Sequence, residues 1–189
     1  MRLSKPWDER SISRGISSRT PRELLRSSRG RKDRSMPAYE GLLTKPQGRF
    51  AIVASKFNIE IVDCLVAGAK DGLRRHGIAE DAIDLAWVPG SFEIPPVAQK
   101  LAASKGYAAV ICLGAIIRGE TDHYDYVCSA ASAGIAQASL ATGVPVLFGV
   151  LTCDTDEQAL DRAGGKAGNK GFDVALAAIE MANLMKQLP

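Results

Sequence analysis

The sequence predicts an α/β protein: a three-layer α/β/α sandwich on a four-stranded parallel sheet. Two features predict it. From Arg49 onward a strand pattern is followed by a helix pattern four times over. The second, third and fourth strands are near-continuously apolar, as parallel strands covered by helices on both faces must be. Right-handed crossovers then close the three layers.

Each element has its own warrant. RFAIVAS (49–55) reads as the first strand. A helix follows over 59–76, with Ile61, Leu65, Val66, Ala69 and Leu73 at helical spacing and Gly77 as its stop. AIDLAWVP (82–89) is the second strand. The stretch 92–104 is mostly helical, and Pro95-Pro96 fits only a first turn. YAAVICLGAII (107–117) is the third strand, and a small-residue helix over 122–142 ends at Gly143. VPVLFGVLT (144–152) is the fourth strand. A short helix over 156–163 and an amphipathic helix over 170–187 complete the pattern. Phe172, Val174, Leu176, Ile179, Met181 and Leu184 are the core candidates of the last helix. Residues 39–44, YEGLLT, precede Pro46 and read as an added N-terminal edge strand.

The chain has 189 residues, enough for one ordinary domain plus a tail. A core of ~150 residues buries roughly 68–70% of its unfolded surface and needs no staples. Cys64, Cys112, Cys128 and Cys153 are far apart, without the spacing of a metal knuckle or redox pair. They read as reduced thiols of a cytoplasmic protein with no signal peptide. No apolar run approaches the ~20 residues that span a bilayer. The net charge of +3 is unevenly placed. Residues 1–36 hold eleven Lys/Arg against four Asp/Glu, or +7, which leaves 13 against 17, or −4, for 37–189. The extension 1–36 lacks an apolar period and reads as disordered. A targeting peptide, a nucleic-acid-binding arm and an upstream translation artefact with Met36 as the working start are its three readings. The artefact or an inert tail is favoured, and residues 37–189 form the domain.

Parallel sheets bind ligands outside the carboxyl ends of their strands. Those ends are Ser55 to Asn58, Pro89 to Glu93, Ile117 to His123 and Phe148 to Asp154. GAIIRGETDHYDY (114–126) is the most informative of them. A buried strand stops at Arg118-Gly119 and a helix begins near Asp122, so free N–H groups, Thr121, Arg118 and His123 meet at one place. Free N–H groups at a helix start favour an anion, and an imidazole is a neutral-pH proton carrier. A lone helical histidine is also often structural. Phe57 can stack on a planar ring or staple the following helix. Gly90-Ser91-Phe92-Glu93 can bind the hydroxyls of a polyol or simply cap a helix. RAGGKAGNKG (162–171) can be a solvated turn, yet Arg162 and Lys170 suit a phosphate and a carbonyl oxygen. Neither a Walker loop nor G-x-G-x-x-G is present.

IVASKFN, PGSFEIP, GAIIRGETDHYDY, FGVLTCDT and RAGGKAGNKG, in this order from about Arg49 to the C-terminus, resemble the 6,7-dimethyl-8-ribityllumazine synthase family. The resemblance implies a flavodoxin-like fold and a transferase of riboflavin synthesis. It implies condensation of 5-amino-6-(D-ribitylamino)uracil with 3,4-dihydroxy-2-butanone 4-phosphate, giving the lumazine, phosphate and water, with no metal or organic cofactor. By motif position Phe57 would stack on the pyrimidine with Asn58 beside it. Ser91, Phe92 and Glu93 would hold the ribityl chain, while Ile116 and Ile117 line the ring site. Gly119, Glu120, Thr121 and Arg162 would seat the phosphate, and His123 would be the general acid/base. Phe148, Lys170 and Arg162 would come from a neighbouring subunit. Glu120 departs from the uncharged residue expected in an anion seat and would serve through its backbone N–H.

The expected partners are two small-molecule substrates and further copies of the chain. The expected homo-oligomer is a pentamer with shared sites, closed into an icosahedral 60-mer, with association with riboflavin synthase and neither membrane nor nucleic acid. A flavodoxin-like module that holds FMN without catalysis is the competing reading. It calls for a glycine-rich loop after the first strand, where Ser55-Lys56-Phe57-Asn58 stands instead. A structural shell or nucleic-acid-binding particle would rest on the basic tail alone.

Overall fold

Strand β1 (Arg49–Ser55) is apolar on both faces, so neither face can be left to water. Phe50, Ile52 and Ala54 enter one buried cluster, Ala51 and Val53 the other. Strand β3 (Tyr107–Ile117) divides in the same way, with Ile111 and Leu113 on one side and Val110 and Cys112 on the other. In this computed structural model, which describes residues 36–189, the two strands pair in parallel at the middle of the sheet. Strand β2 (Ile83–Val88) lies outside β1 and β4 (Val146–Cys153) outside β3, all parallel, in the order β2-β1-β3-β4. The extension expected to be disordered over 1–36 lies, apart from Met36, outside the described residues.

Helices α1 (Ile59–Arg75) and α5 (Lys170–Met185) cover one face. Helices α2 (Ile94–Ala103) and α3 (His123–Thr142) cover the other. Helix α4 (Asp156–Arg162) and a small antiparallel pair, β5 (Ala163–Gly165) with β6 (Gly168–Asn169), join β4 to α5. The four-stranded parallel α/β sandwich is the fold the sequence predicts. Among the described residues no helix is long and apolar enough to cross a membrane.

Close packing is achieved with small residues. A Cβ at Gly171 would run into the Leu65 carbonyl oxygen, so α5 starts directly against the backbone of α1. On the far face a Cβ at Gly134 of α3 would lie 2.7 Å from the Pro95 ring. Burial of the Cys112 thiol in the sheet pushes its pKa up, and all four cysteines are free. At the amino end of the sheet Arg49 pairs with Asp84 at 2.6 Å, and the Tyr107 hydroxyl donates to the same carboxylate at 2.7 Å. Arg49, then Tyr107, holds the Asp84 carboxyl below its ordinary range.

Four expectations change. Strand β2 is half-buried along most of its length, because an edge strand is not covered as fully as β1 and β3. The helix expected over 92–104 is divided into a 3-10 turn, Ser91–Glu93, and α2, since the helix can begin only where its prolines fall in the first turn. In α5 Val174 and Ile179 are buried as expected, but Phe172, Leu176, Met181 and Leu184 are only half-buried. Ala175, Ala178 and Ala182 take the inner positions, where the narrow gap to α1 and the sheet admits small side chains. Residues 39–44 form no strand within this chain. They are held by side chains of α5 and of the residues just after it: Asn183 Nδ2 donates to the Leu42 and Thr44 carbonyls at 2.6 and 2.8 Å, and Gln187 Nε2 to the Glu40 carbonyl at 2.7 Å. Lys186 Nζ donates to the Gln47 carbonyl at 3.0 Å, just beyond that stretch.

Gly171→Ala is expected to destabilise the domain by at least the ~1–3 kcal/mol usual for overpacking, because backbone rather than a flexible side chain fills the space. Urea unfolding read by circular dichroism checks this; a midpoint equal to wild type would show that α5 can move away from α1 freely.

Candidate active site

The chain leaves β1 toward β2 and crosses back to β3, so the loops after β1 and β3 diverge at the carboxyl end of the sheet. Open sheets bind ligands at this reversal. A cleft of about 520 Å³ occupies it. Its apolar floor is Ala115, Ile116 and Ile117 at the end of β3. Phe57 stands on one side, Gly90 to Glu93 on a second, and Gly119, Thr121 and His123 on a third.

Phe57 is 69% exposed although the strand before it is buried from Phe50 to Ser55. Its backbone is fixed on three sides. Lys56 and Phe57 N–H donate to the Val88 and Pro89 carbonyls at 2.8 and 3.1 Å. Ser55 Oγ reaches the Phe57 carbonyl at 3.4 Å. Asn58 adopts the left-handed conformation (φ 57°), and its Nδ2 donates to the Ala115 carbonyl at 2.9 Å. An aromatic this exposed does not staple α1; it is an open ring face on a fixed backbone. Asn58 sits behind the cleft, and its amide is engaged with β3.

Ser91 is buried, and its Oγ has no hydrogen-bond partner. A Cβ at Gly114 would lie 2.5 Å from that hydroxyl and 3.1 Å from Ser55 Oγ, so only glycine leaves room beneath the two. The capping role weighed from sequence is not made: neither Ser91–Glu93 nor α2 has a side-chain cap. Phe92 is 58% exposed beside Ser91, and Glu93 is half-buried at the cleft wall.

Helix α3 begins without a side-chain cap at Asp122. The first N–H groups of a helix have no partner within it, and here they open beside Gly119, where a Cβ would meet nothing within 4 Å. His123 is exposed at this helix start. The only other histidine, His76, has its Nδ1 2.8 Å from the Gly72 carbonyl, away from the cleft. Arg118, expected within the anion segment, does not line the cleft. Its guanidinium pairs with Asp154 at 3.0 Å and Asp125 at 3.3 Å and lies 4.0 Å over the Tyr124 ring. Asp125, then Asp154, raises its pKa.

Five further named residues lie outside the cleft of this chain. Asn58 is behind it, and Glu120 is exposed beside it. Phe148 is 41% exposed on edge strand β4. Arg162 donates to the Gln158 carbonyl at 2.9 Å, and Lys170 pairs with Asp173 at 3.3 Å. Sequence reasoning missed Ala115, Tyr124 and Val127 as cleft-lining residues. The last two lie three and six residues after Thr121, one helical face continuing from the anion segment, and that spacing was the available signal. Burial raises the pKa of the Tyr124 phenol. Among the described residues no three His, Cys, Asp or Glu side chains gather as a metal would require.

Asn58→Ala removes the bond to Ala115 and places a Cβ-bearing residue without a polar side chain in a left-handed conformation. The expected loss is about 1–3 kcal/mol, the sum of one hydrogen bond and the left-handed cost. Asn58→Gly, free of the second cost, is expected to lose less. Denaturant midpoints of the pair check this; equal midpoints would remove the conformational part.

The model of the 6,7-dimethyl-8-ribityllumazine synthase family matches residues 47–186, from just before β1 to the end of α5. The matched span contains the whole sheet, both helical layers and every residue that lines the cleft. On that match the chain belongs to the 6,7-dimethyl-8-ribityllumazine synthase family, transferases of riboflavin biosynthesis that form the lumazine.

Proposed function

We propose that the cleft condenses 5-amino-6-(D-ribitylamino)uracil with 3,4-dihydroxy-2-butanone 4-phosphate. The observation that carries this is the pairing of an exposed aromatic on a fixed backbone, Phe57, with an uncapped helix start beside His123 across an apolar floor. The pyrimidine stacks on Phe57 and rests on Ile116 and Ile117. Its ribityl hydroxyls reach Ser91, the Phe92 backbone and Glu93. The phosphate sits on the N–H groups of Gly119, Glu120 and Thr121, with the Glu120 carboxylate turned to water.

The reaction needs proton transfers and orientation more than a strong nucleophile. The pyrimidine's amine adds to the ketone and the adduct loses water to give an imine. The C–O bond to phosphate breaks as a proton leaves carbon. The enol left behind takes up a proton on its terminal carbon and becomes a ketone; the ribityl-bearing nitrogen attacks this new carbonyl, and a second loss of water closes the ring. His123 carries protons in these steps, since an imidazole can both give and accept a proton. Both substrates are reactive, so holding them together is the larger contribution, up to ~7–11 kcal/mol in favourable cases. No metal or organic cofactor enters this scheme.

Charge supports a site shared between subunits. Around the anion seat this chain places Glu120, Asp122, Asp125 and Asp154 against Arg118, whose charge is already engaged by two of those carboxylates. A phosphate dianion needs another cation. Arg162 of a neighbouring copy supplies it, and Phe148 and Lys170 of that copy complete the pyrimidine site. Residues 37–189 are the catalytic domain, and 1–36 an inert extension. The copies form pentamers that close into a cytoplasmic icosahedral shell, in association with riboflavin synthase.

Lumazine formation, followed by absorbance, tests the scheme. Phe57→Ala is expected to weaken binding of the pyrimidine by ~0.5–1.5 kcal/mol beyond lost contact area; unchanged affinity would end the stacking role. His123→Ala is expected to lower turnover by less than the ~10²–10⁴ often due to an acid/base group. Complete inactivity of a folded variant would make the imidazole indispensable.

A further inference from the structure

Arg162 and Lys170 stand at the two ends of a loop that contains Gly164, Gly165 and Gly168. Glycine-rich chain has the most conformational freedom to lose on ordering, so two cations on such a loop would not keep a fixed separation by themselves. The loop is closed at its neck by one side chain. Asn169 Nδ2 donates to the Ala163 carbonyl at 3.0 Å and to the Cys64 carbonyl of α1 at 2.8 Å. Its Oδ1 accepts from the Gly171 and Phe172 N–H groups at 2.9 and 3.2 Å, capping α5. One half-buried amide therefore joins the residue after Arg162, the start of α5 that carries Lys170, and the middle of α1. Backbone pairing of Ala163 with Asn169 lies at the same neck.

The contact leaves no slack. A Cβ at Gly68 of α1 would overlap the Asn169 amide, so α1 presents bare backbone where this side chain crosses. Apart from the cap, these bonds do little for α5 that a shorter capping residue could not do, since serine caps about as well as asparagine. The two donated bonds are the part that serine cannot supply.

We propose that Asn169 is a positioning residue that sets the separation of Arg162 and Lys170 and so presents both cations to the substrates together. This rests on the reading above that those two residues meet the phosphate and the pyrimidine. Displacement of a binding group by about 1 Å can cost as much as ~10²-fold in rate. Opening the neck should therefore appear in both Michaelis constants at once, although Asn169 touches neither substrate.

The test uses the full chain. Asn169→Ser keeps an acceptor for the Gly171 and Phe172 N–H groups and removes both donated bonds. Gly68→Ala displaces the same amide from the α1 side while improving the helix propensity of α1, so it guards against a variant that merely fails to fold. Both are expected to raise KM about tenfold for each substrate with kcat changed by less than about threefold, with unaltered sedimentation. Asn169→Asp, which keeps the cap but sets a carboxylate against two carbonyls, is expected to be at least as impaired. Normal KM values in Asn169→Ser and Gly68→Ala would overturn the proposal. Raised KM values accompanied by altered sedimentation would also overturn it, because the neck would then act through assembly. Arg162→Ala separates the two readings: expected to raise KM for the phosphate substrate alone, it would, if silent, refute the phosphate role of Arg162 rather than the neck.

Discussion

Strand β1 lies between β2 and β3, so the chain leaves it toward one edge of the sheet and must return to build the other. The parallel pairing of β1 with β3 holds that reversal together. It requires both strands to be apolar on both faces, and Phe50 to Ala54 and Val110 to Leu113 are fully buried. It also forces the loops after the two strands apart, because they lead to helices on opposite faces. The cleft is the gap left by that divergence. Phe57 and Asn58 leave β1 on one side, while Gly119 to His123 leave β3 on the other. The Asn58 amide, bonded to the Ala115 carbonyl, limits how far they separate.

Close approach recurs wherever position matters. Gly114 makes room for Ser55 and Ser91 beneath the cleft, Gly171 brings α5 onto α1, and Gly134 brings α3 onto Pro95. The two helical layers are thus set at short distance by residues without side chains, and alanines fill the interior of α5 and α3. A core of this kind has little free volume to absorb displacement. It holds the walls of the cleft in fixed register.

Most of the fold was legible because parallel strands and amphipathic helices impose long, regular patterns. The third strand was read to the residue, as Tyr107–Ile117. Interactions between elements far apart in sequence were not legible. Arg118 reads as a free cation until Asp154 is seen 3.0 Å away across the sheet end. YEGLLT reads as an edge strand because its composition suits one, but within this chain it finds no sheet, and amides some 140 residues later take its carbonyls instead. Leu176 and Met181 read as core because apolar spacing cannot register how narrow the gap to α1 is. At the site, Phe57, Ser91, Thr121 and His123 were found because they follow strand ends. Tyr124 and Val127 were missed because they continue onto a helix whose composition reads as bland. Arg162, Lys170 and Phe148, singled out from the sequence, lie outside the cleft of this chain, because sequence does not show which loops the fold brings together.

The strap formed by residues 40–47 has a consequence for how the molecule exchanges with its solvent. The four side-chain bonds that hold it all end on its carbonyl oxygens, at Glu40, Leu42, Thr44 and Gln47. Oxygens anchored in this way fix the path of a chain without shielding its amide hydrogens. Such a segment is ordered while its exposed amides have no partner in this chain: deuterium should replace their protons faster than those of the neighbouring helix. Mobility inferred from isotope uptake alone would then be assigned to a stretch that is held in place, and only its spare donors would be free to bond elsewhere.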